Sequence, residues 1–268
     1  ATKILVDRAV PLFIAAATIC RFISDVKWNP QKRLEAILTD RSTYVSKMDS
    51  TYVPVLKQLL TGQNEKESQK LLEEFKEIVG VIIILATPLS INSLSHLIDR
   101  ESDHVKCRLD QLHSVLSVPD NFDTPVRILH LSFRDFLLDH REDESKVWIN
   151  GKYANQRLAE RCRQIMQDSL EKNICKLPSE GIQWNEISND SIQHSIPPEL
   201  NYACRYWVHH LVQCTDLPSM IHNVYRFLQV HFLHWVEAMS LLRLRSAVSG
   251  ILDLLQTAIS VSSEDNDR

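Results

Sequence analysis

The stretch RILHLSFRDFLLDH, residues 127–140, places a histidine, His130, where a β-prone run passes into a helix. A helix start is the positive end of the helix dipole and favours anions. An imidazole there can donate a hydrogen bond to a phosphate oxygen. Ser132 and Asp135 form S-x-x-D, a capping-box spacing that sets the helix start at Ser132. Leu131 then precedes the cap and is placed to staple onto Phe136, while Phe133, Phe136 and Leu137 face the core. On these residues alone, His130 reads better as a satisfied histidine at a domain corner than as a ligand contact.

Other chemistry-bearing residues are less suggestive. His209 and His210 are adjacent and point to different helix faces, and His231 with His234 is a single i,i+3 pair. No acidic or cysteine partner stands at ligand spacing, so no metal is expected and these histidines read as packing residues. Single acids such as Asp7 and Glu237 form no paired-carboxylate arrangement. The sequence holds no G-x-x-x-x-G-K-[ST], G-x-G-x-x-G, H-E-x-x-H or G-x-S-x-G motif. The aromatic series YACRYWVHHL and FLQVHFLHWVEAM has helical spacing, which favours core packing over an exposed binding surface.

The elements that must position these residues are mostly helices. Five glycines in 268 residues is scarce against a usage of roughly 7%, which disfavours hairpin-rich folds and a Gly-rich nucleotide cradle. Apolar residues make up 44% and charged residues 24%, a globular composition. The net charge of −4, with no long basic run, gives no footprint for nucleic acid. Six dispersed cysteines without a C-x-x-C pair read as reduced, buried thiols of a cytoplasmic protein. The longest apolar run, VGVIIILA, is far below the ~20 residues that span a bilayer, so no membrane is expected. The start, ATKILVDRAV, opens inside an amphipathic pattern with no secretory h-region, as expected of a piece of a longer protein.

Helical periodicity predicts helices over 4–24, with Pro11 near the first turn, and after Asn29-Pro30, a cap followed by a first helical position. TYVPVLKQLLTGQ reads as a third helix and residues 64–69 as a polar connection. Helices follow over 70–87, from Ser90, and over 101–113 with Val105, Leu109 and Leu112 inward. SVLSV and PVRILH, separated by the turn-rich PDNFDT, predict a two-stranded hairpin before the His130 helix. Helix, helix, helix, hairpin, helix is the layout of a winged-helix domain. A long helix over 152–176, an irregular stretch with three prolines, and a helical, aromatic-rich part over 199–260 complete the chain. The fold class expected is mainly α: a helical domain over 1–68, a winged-helix domain over 69–145 and a second helical domain over 146–268.

LVDRAVPLFIAAATICRFI, RILHLSFRDFLLD, PPELNYACRYWVHHL and HFLHWVEAMSLL together resemble fungal NACHT-type STAND proteins, the family of heterokaryon-incompatibility and NOD-like proteins. The resemblance covers essentially the whole chain, and H-x-S-F-x-D-F-L and Y-A-C-x-Y-W-x-x-H are its specific parts. It implies an order of effector, P-loop NTPase core, helical domain, winged helix, second helical domain and WD or ankyrin repeats. The partners implied are therefore an upstream NTPase core and a downstream repeat domain of the same chain, with homo-oligomerisation on activation. It also implies ADP or ATP in the intact protein, with the role of contacting the β-phosphate of ADP mapping to His130. A proline that lies against the adenine maps to Pro11, where Ala9 stands in place of the pattern's Gly.

The function expected is thus the regulatory portion of a NACHT-type signalling ATPase, acting in incompatibility-like programmed cell death. The chain by itself is not expected to be an enzyme and carries no cofactor. A helical interaction scaffold without nucleotide is the competing class. A DNA-reading winged helix is disfavoured by charge, since Glu101, Asp103 and Asp110 offset Lys106 and Arg108 in the recognition-helix candidate.

Overall fold

A computed structural model describes residues 13–24, 29–39, 47–60, 63–139, 147–179, 181–183, 186–214 and 216–266. The expectation for Pro11 lies outside the described residues. Among them are twelve α-helices and one two-stranded antiparallel sheet. The chain forms two compact units, one of residues 1–92 and 100–151, the other of 93–99 and 152–268.

In the first unit, α1 (Phe13–Ser24) and α2 (Pro30–Thr39) pack together, and α1 also packs on α3 (Lys47–Leu59). Asn29 Oδ1 accepts from the backbone N–H of Gln31 and Lys32 at 2.9 and 3.2 Å, so Asn29 caps α2 and Pro30 occupies its first position, as the sequence predicts. The polar connection expected at 64–69 is instead the first turn of α4 (Glu65–Ile84). Asn64 accepts from Glu67 N–H while the Glu67 carboxylate accepts from Asn64 N–H, a complete capping box. The run is polar because it is exposed, not because it is a loop. α4 ends at an apolar turn before Pro88.

After α5 (Ile91–Ile98), α6 (Ser102–Leu109) continues into a single 3₁₀ turn, Asp110–Leu112. Val105, Leu109 and Leu112 are buried, as expected. The hairpin forms where the period changes: β1 (Leu116–Ser117) pairs with β2 (Arg127–Ile128), Leu116 opposite Ile128 and Ser117 opposite Arg127. Asn121 organises the connection by accepting the N–H of Asp123 on its side chain and of Thr124 on its carbonyl. β2 delivers the chain directly into α7 (Leu131–Leu138). α7 packs on α3 through Tyr52, whose ring lies 5.2 Å from both Phe133 and Phe136, and Phe136 continues to Trp148 at 4.9 Å. Tyr52, Phe133 and Phe136 are buried, and each contributes on the order of 2–3 kcal/mol of apolar burial.

The regular secondary structure among the described residues of the second unit is all helical. α8 (Gly151–Ser169) is shorter than the sequence predicts, and residues 172–175 form a turn. Asn173 and Lys176 sit at positive φ, 57° and 51°, in and just after that turn. The stretch expected to be irregular contains α9 (Asn189–Ser195), capped by Ser188, whose Oγ accepts from Ser191 N–H. α10 (Pro198–Leu211), α11 (Leu217–Leu241) and α12 (Arg245–Asn266) follow and pack on one another. Trp207 and Trp235 meet edge-to-face at 6.1 Å in the core, and Trp235 Nε1 donates to the Cys204 carbonyl at 2.9 Å. The thiols of Cys162 and Cys204 are pushed up by burial, Cys204 to about 12, so both are inert. Cys20 and Cys107 are exposed, against the expectation of uniformly buried thiols.

Candidate functional site

The His130 corner is built by two elements that meet at one residue. β2 brings the chain in extended, and His130 itself has φ −154° and ψ 138°, the backbone of a cap. His130 is the cap of α7: its Nδ1 accepts the N–H of Ser132 at 3.1 Å. Nδ1 stands the same number of bonds from Cα as the Oδ1 of an aspartate or asparagine cap, so the imidazole does the same job. The cap role expected of Ser132 and Asp135 is thereby corrected. The helix has already begun before Ser132, with Phe133 N–H bonded to the His130 carbonyl. Ser132 occupies the second helical position, Asp135 is exposed beyond the first turn, and no acid lies in that turn. Leu131 is 67% exposed and cannot staple onto Phe136, which is 2% exposed.

Ser132 Oγ lies 2.7 Å from His130 Nδ1 and 2.7 Å from the Tyr52 hydroxyl. Tyr52 is buried, and that burial pushes its phenol pKa up, assisted by Asp135 and opposed by the Ser132 hydrogen bond. His130 remains exposed. Because a backbone N–H can only donate, Nδ1 is the acceptor and the neutral ring carries its proton on Nε2. The corner therefore presents an exposed N–H donor at a helix N-terminus, chemistry suited to an oxyanion.

A cleft of about 380 Å³ opens elsewhere in the first unit, among Phe22, Arg33, Gln58, Lys70, Arg108 and Gln111. Arg33 is buried there, its guanidinium 4.4 Å from the Phe22 ring centroid. Arg108 Nε meets Glu74 Oε2 at 2.7 Å. His130 does not line this cleft, so the two features are separate.

Of the remaining histidines, His209 is exposed and His210 is fully buried, as adjacent helix positions require. His210 is more than a packing residue. Its Nδ1 donates to Asn155 Oδ1 at 2.7 Å and its Nε2 accepts from the Tyr202 hydroxyl at 2.7 Å. Burial, with His209 adding to it, pulls its pKa down to about 3, so the ring is neutral. Sequence reasoning missed this network, because Asn155 stands 55 residues away on α8. Glu237, without a carboxylate partner in sequence, accepts the backbone N–H of Asn173 and Ile174 at 3.1 and 3.2 Å, a structural role. No group of three or more His, Cys, Asp or Glu side chains suited to a metal occurs among the described residues. No helix among the described residues is long and apolar enough to cross a membrane.

No protein-family model matches the chain, and no solved structure matches it significantly. Among curated proteins, the chain is similar to the vegetative incompatibility protein HET-E-1 of Podospora anserina, 26% identical over 255 residues. That similarity covers 86% of this chain and 18% of the relative, so the chain spans about a fifth of the length of the protein it matches.

Proposed function

We propose that this chain is the regulatory helical portion of a NACHT-type signalling NTPase of the vegetative-incompatibility kind, in which His130 holds a phosphate of bound ADP in the resting state. Its parts are a helical domain over 1–68, a winged-helix domain over 69–145 and a second helical domain over 146–268. The NTPase core upstream and the repeats downstream belong to the same longer chain. The similarity to an incompatibility protein over most of this chain supports the family setting.

The single observation that carries the nucleotide role is the direction of the His130 ring. Its Nδ1 is occupied by Ser132, which leaves Nε2–H as an exposed donor at the start of α7. A phosphate oxygen is a stronger acceptor than water, and a charge-assisted hydrogen bond of this kind contributes roughly 1.5–3 kcal/mol. The testing measurement is the dissociation rate of fluorescent ADP from the intact parent protein carrying His130→Gln. A rate on the order of 10-fold faster, equivalent to about 1.4 kcal/mol, is expected. An unchanged rate removes the role.

A second reading, a helical scaffold that binds a partner protein, draws on α11. Tyr225, Val230 and Leu233 on that helix are 62%, 65% and 74% exposed. Concentration-dependent sedimentation of the chain that is abolished by Leu233→Glu, together with unaltered ADP dissociation in His130→Gln, would favour it.

A further inference from the structure

We propose that Tyr52 is a positioning residue: acting through the Ser132 hydroxyl, it reinforces the tautomer that the Ser132 backbone N–H imposes on His130, the one that turns a ring N–H outward. The use of that N–H on an anion rests on the function proposed above; the positioning itself does not.

The direction of the chain of hydrogen bonds follows from one group that has no choice. The backbone N–H of Ser132 can only donate, and it points at His130 Nδ1 from 3.1 Å. Nδ1 therefore offers a lone pair. The Ser132 hydroxyl, 2.7 Å from the same nitrogen, meets that lone pair and donates its hydrogen too. With its hydrogen used, Ser132 Oγ can accept, and the Tyr52 hydroxyl 2.7 Å away supplies the donor. Tyr52 keeps its proton because burial raises its pKa. The polarity thus runs from Tyr52 to Ser132 to His130. Phe133 and Phe136, each 5.2 Å from the Tyr52 ring centre, hold the phenol in place.

His210 shows the opposite arrangement within the same chain. Its Nδ1 faces the Asn155 side-chain carbonyl, which only accepts, so His210 carries its proton on Nδ1 and receives Tyr202 on Nε2. The protein therefore holds two neutral histidines in opposite tautomers, and His210 serves as an internal standard.

The experiment is a two-bond ¹H–¹⁵N spectrum of the full 268-residue chain labelled at histidine, with His130 assigned by its loss in His130→Gln. In the wild-type chain, His130 is expected to show Nε2 protonated and Nδ1 as the lone-pair nitrogen, and His210 the reverse. In Tyr52→Phe, which keeps the ring and its packing, the two His130 nitrogen shifts should move toward each other while those of His210 stay. Ser132→Ala should act in the same direction, and Ser132→Thr, which restores a hydroxyl, should reverse it. Averaged His130 nitrogens in the wild-type chain, or shifts unchanged by Tyr52→Phe, overturn the positioning whatever nucleotide does. The expected tautomer pattern beside unchanged ADP dissociation in His130→Gln leaves the positioning standing and removes the nucleotide reading.

Discussion

His210 Nδ1 donates to Asn155 Oδ1 across 2.7 Å, joining α10 to α8 at a point from which solvent is excluded. Burial at that point favours the neutral ring, because a charged imidazolium would lose its hydration there.

That arrangement makes the second unit acid-sensitive. The folded ring has a pKa of about 3, against an ordinary value of 6.5 for an unfolded histidine. Between those values the unfolded chain binds a proton that the folded chain does not, so stability falls as pH falls below about 6.5 and levels off only near 3. The slope from this one group approaches about 1.4 kcal/mol per pH unit, or roughly 2 kcal/mol lost between pH 7.5 and pH 5. Urea denaturation at the two pH values should show this loss, reduced by about that amount in His210→Gln. Equal pH sensitivity in the variant would contradict the assignment.

The capping box at the start of α4 gives a second expectation. Asn64→Ala removes the acceptor for Glu67 N–H and leaves in place the reciprocal bond from the Asn64 backbone N–H to the Glu67 carboxylate. The loss should be about 0.5–2 kcal/mol, and Asn64→Asp should recover most of it. The urea midpoint reads both; an unaltered midpoint in Asn64→Ala would show that residues 64–67 do not carry the helix start.

Leu131 and Phe136 should behave oppositely. Phe136→Ala opens a cavity among Tyr52, Phe133 and Trp148 and should cost roughly 3–5 kcal/mol. Leu131→Ala, on an exposed side chain, should stay within about 0.5 kcal/mol. A thermal melt of each variant decides; a large effect at Leu131 would restore the staple.

Glu237 accepts two backbone N–H groups, one on each carboxylate oxygen. Glu237→Ala should leave both amides without that partner and cost about 1–3 kcal/mol. Amide hydrogen exchange should quicken at Asn173 and Ile174 before it quickens in α8. Unchanged exchange at these two amides would count against the clamp.

The sequence made the hairpin, the Asn29 cap and the inward face of α6 legible, because each rests on local chemistry: turn residues, an Asn-Pro pair and helical periodicity. It also singled out His130, from its place among apolar residues at a period change. The cap was misassigned because Ser132 and Asp135 fit a common spacing, while an imidazole in the cap position is an uncommon substitute for a carboxamide. α9 was hidden by the Ser, Asn and Asp residues of its N-terminus, which favour turns when no partner surface is known. The partners of His210, Ser132 and Glu237 lie 55, 80 and 63 to 64 residues away. No local pattern encodes pairings of that range, which only packing brings about.

The 80-residue separation of Tyr52 and Ser132 also bears on synthesis. At about 5–20 residues per second, α3 emerges roughly 4–16 s before its hydroxyl acceptor does. Throughout that interval the Tyr52 ring lacks Phe133 and Phe136, and α3, though α1 is already present, lacks the cover that α7 supplies. The first unit cannot close segment by segment from its N-terminus, and its early helices form a nascent surface that a chaperone has several seconds to occupy.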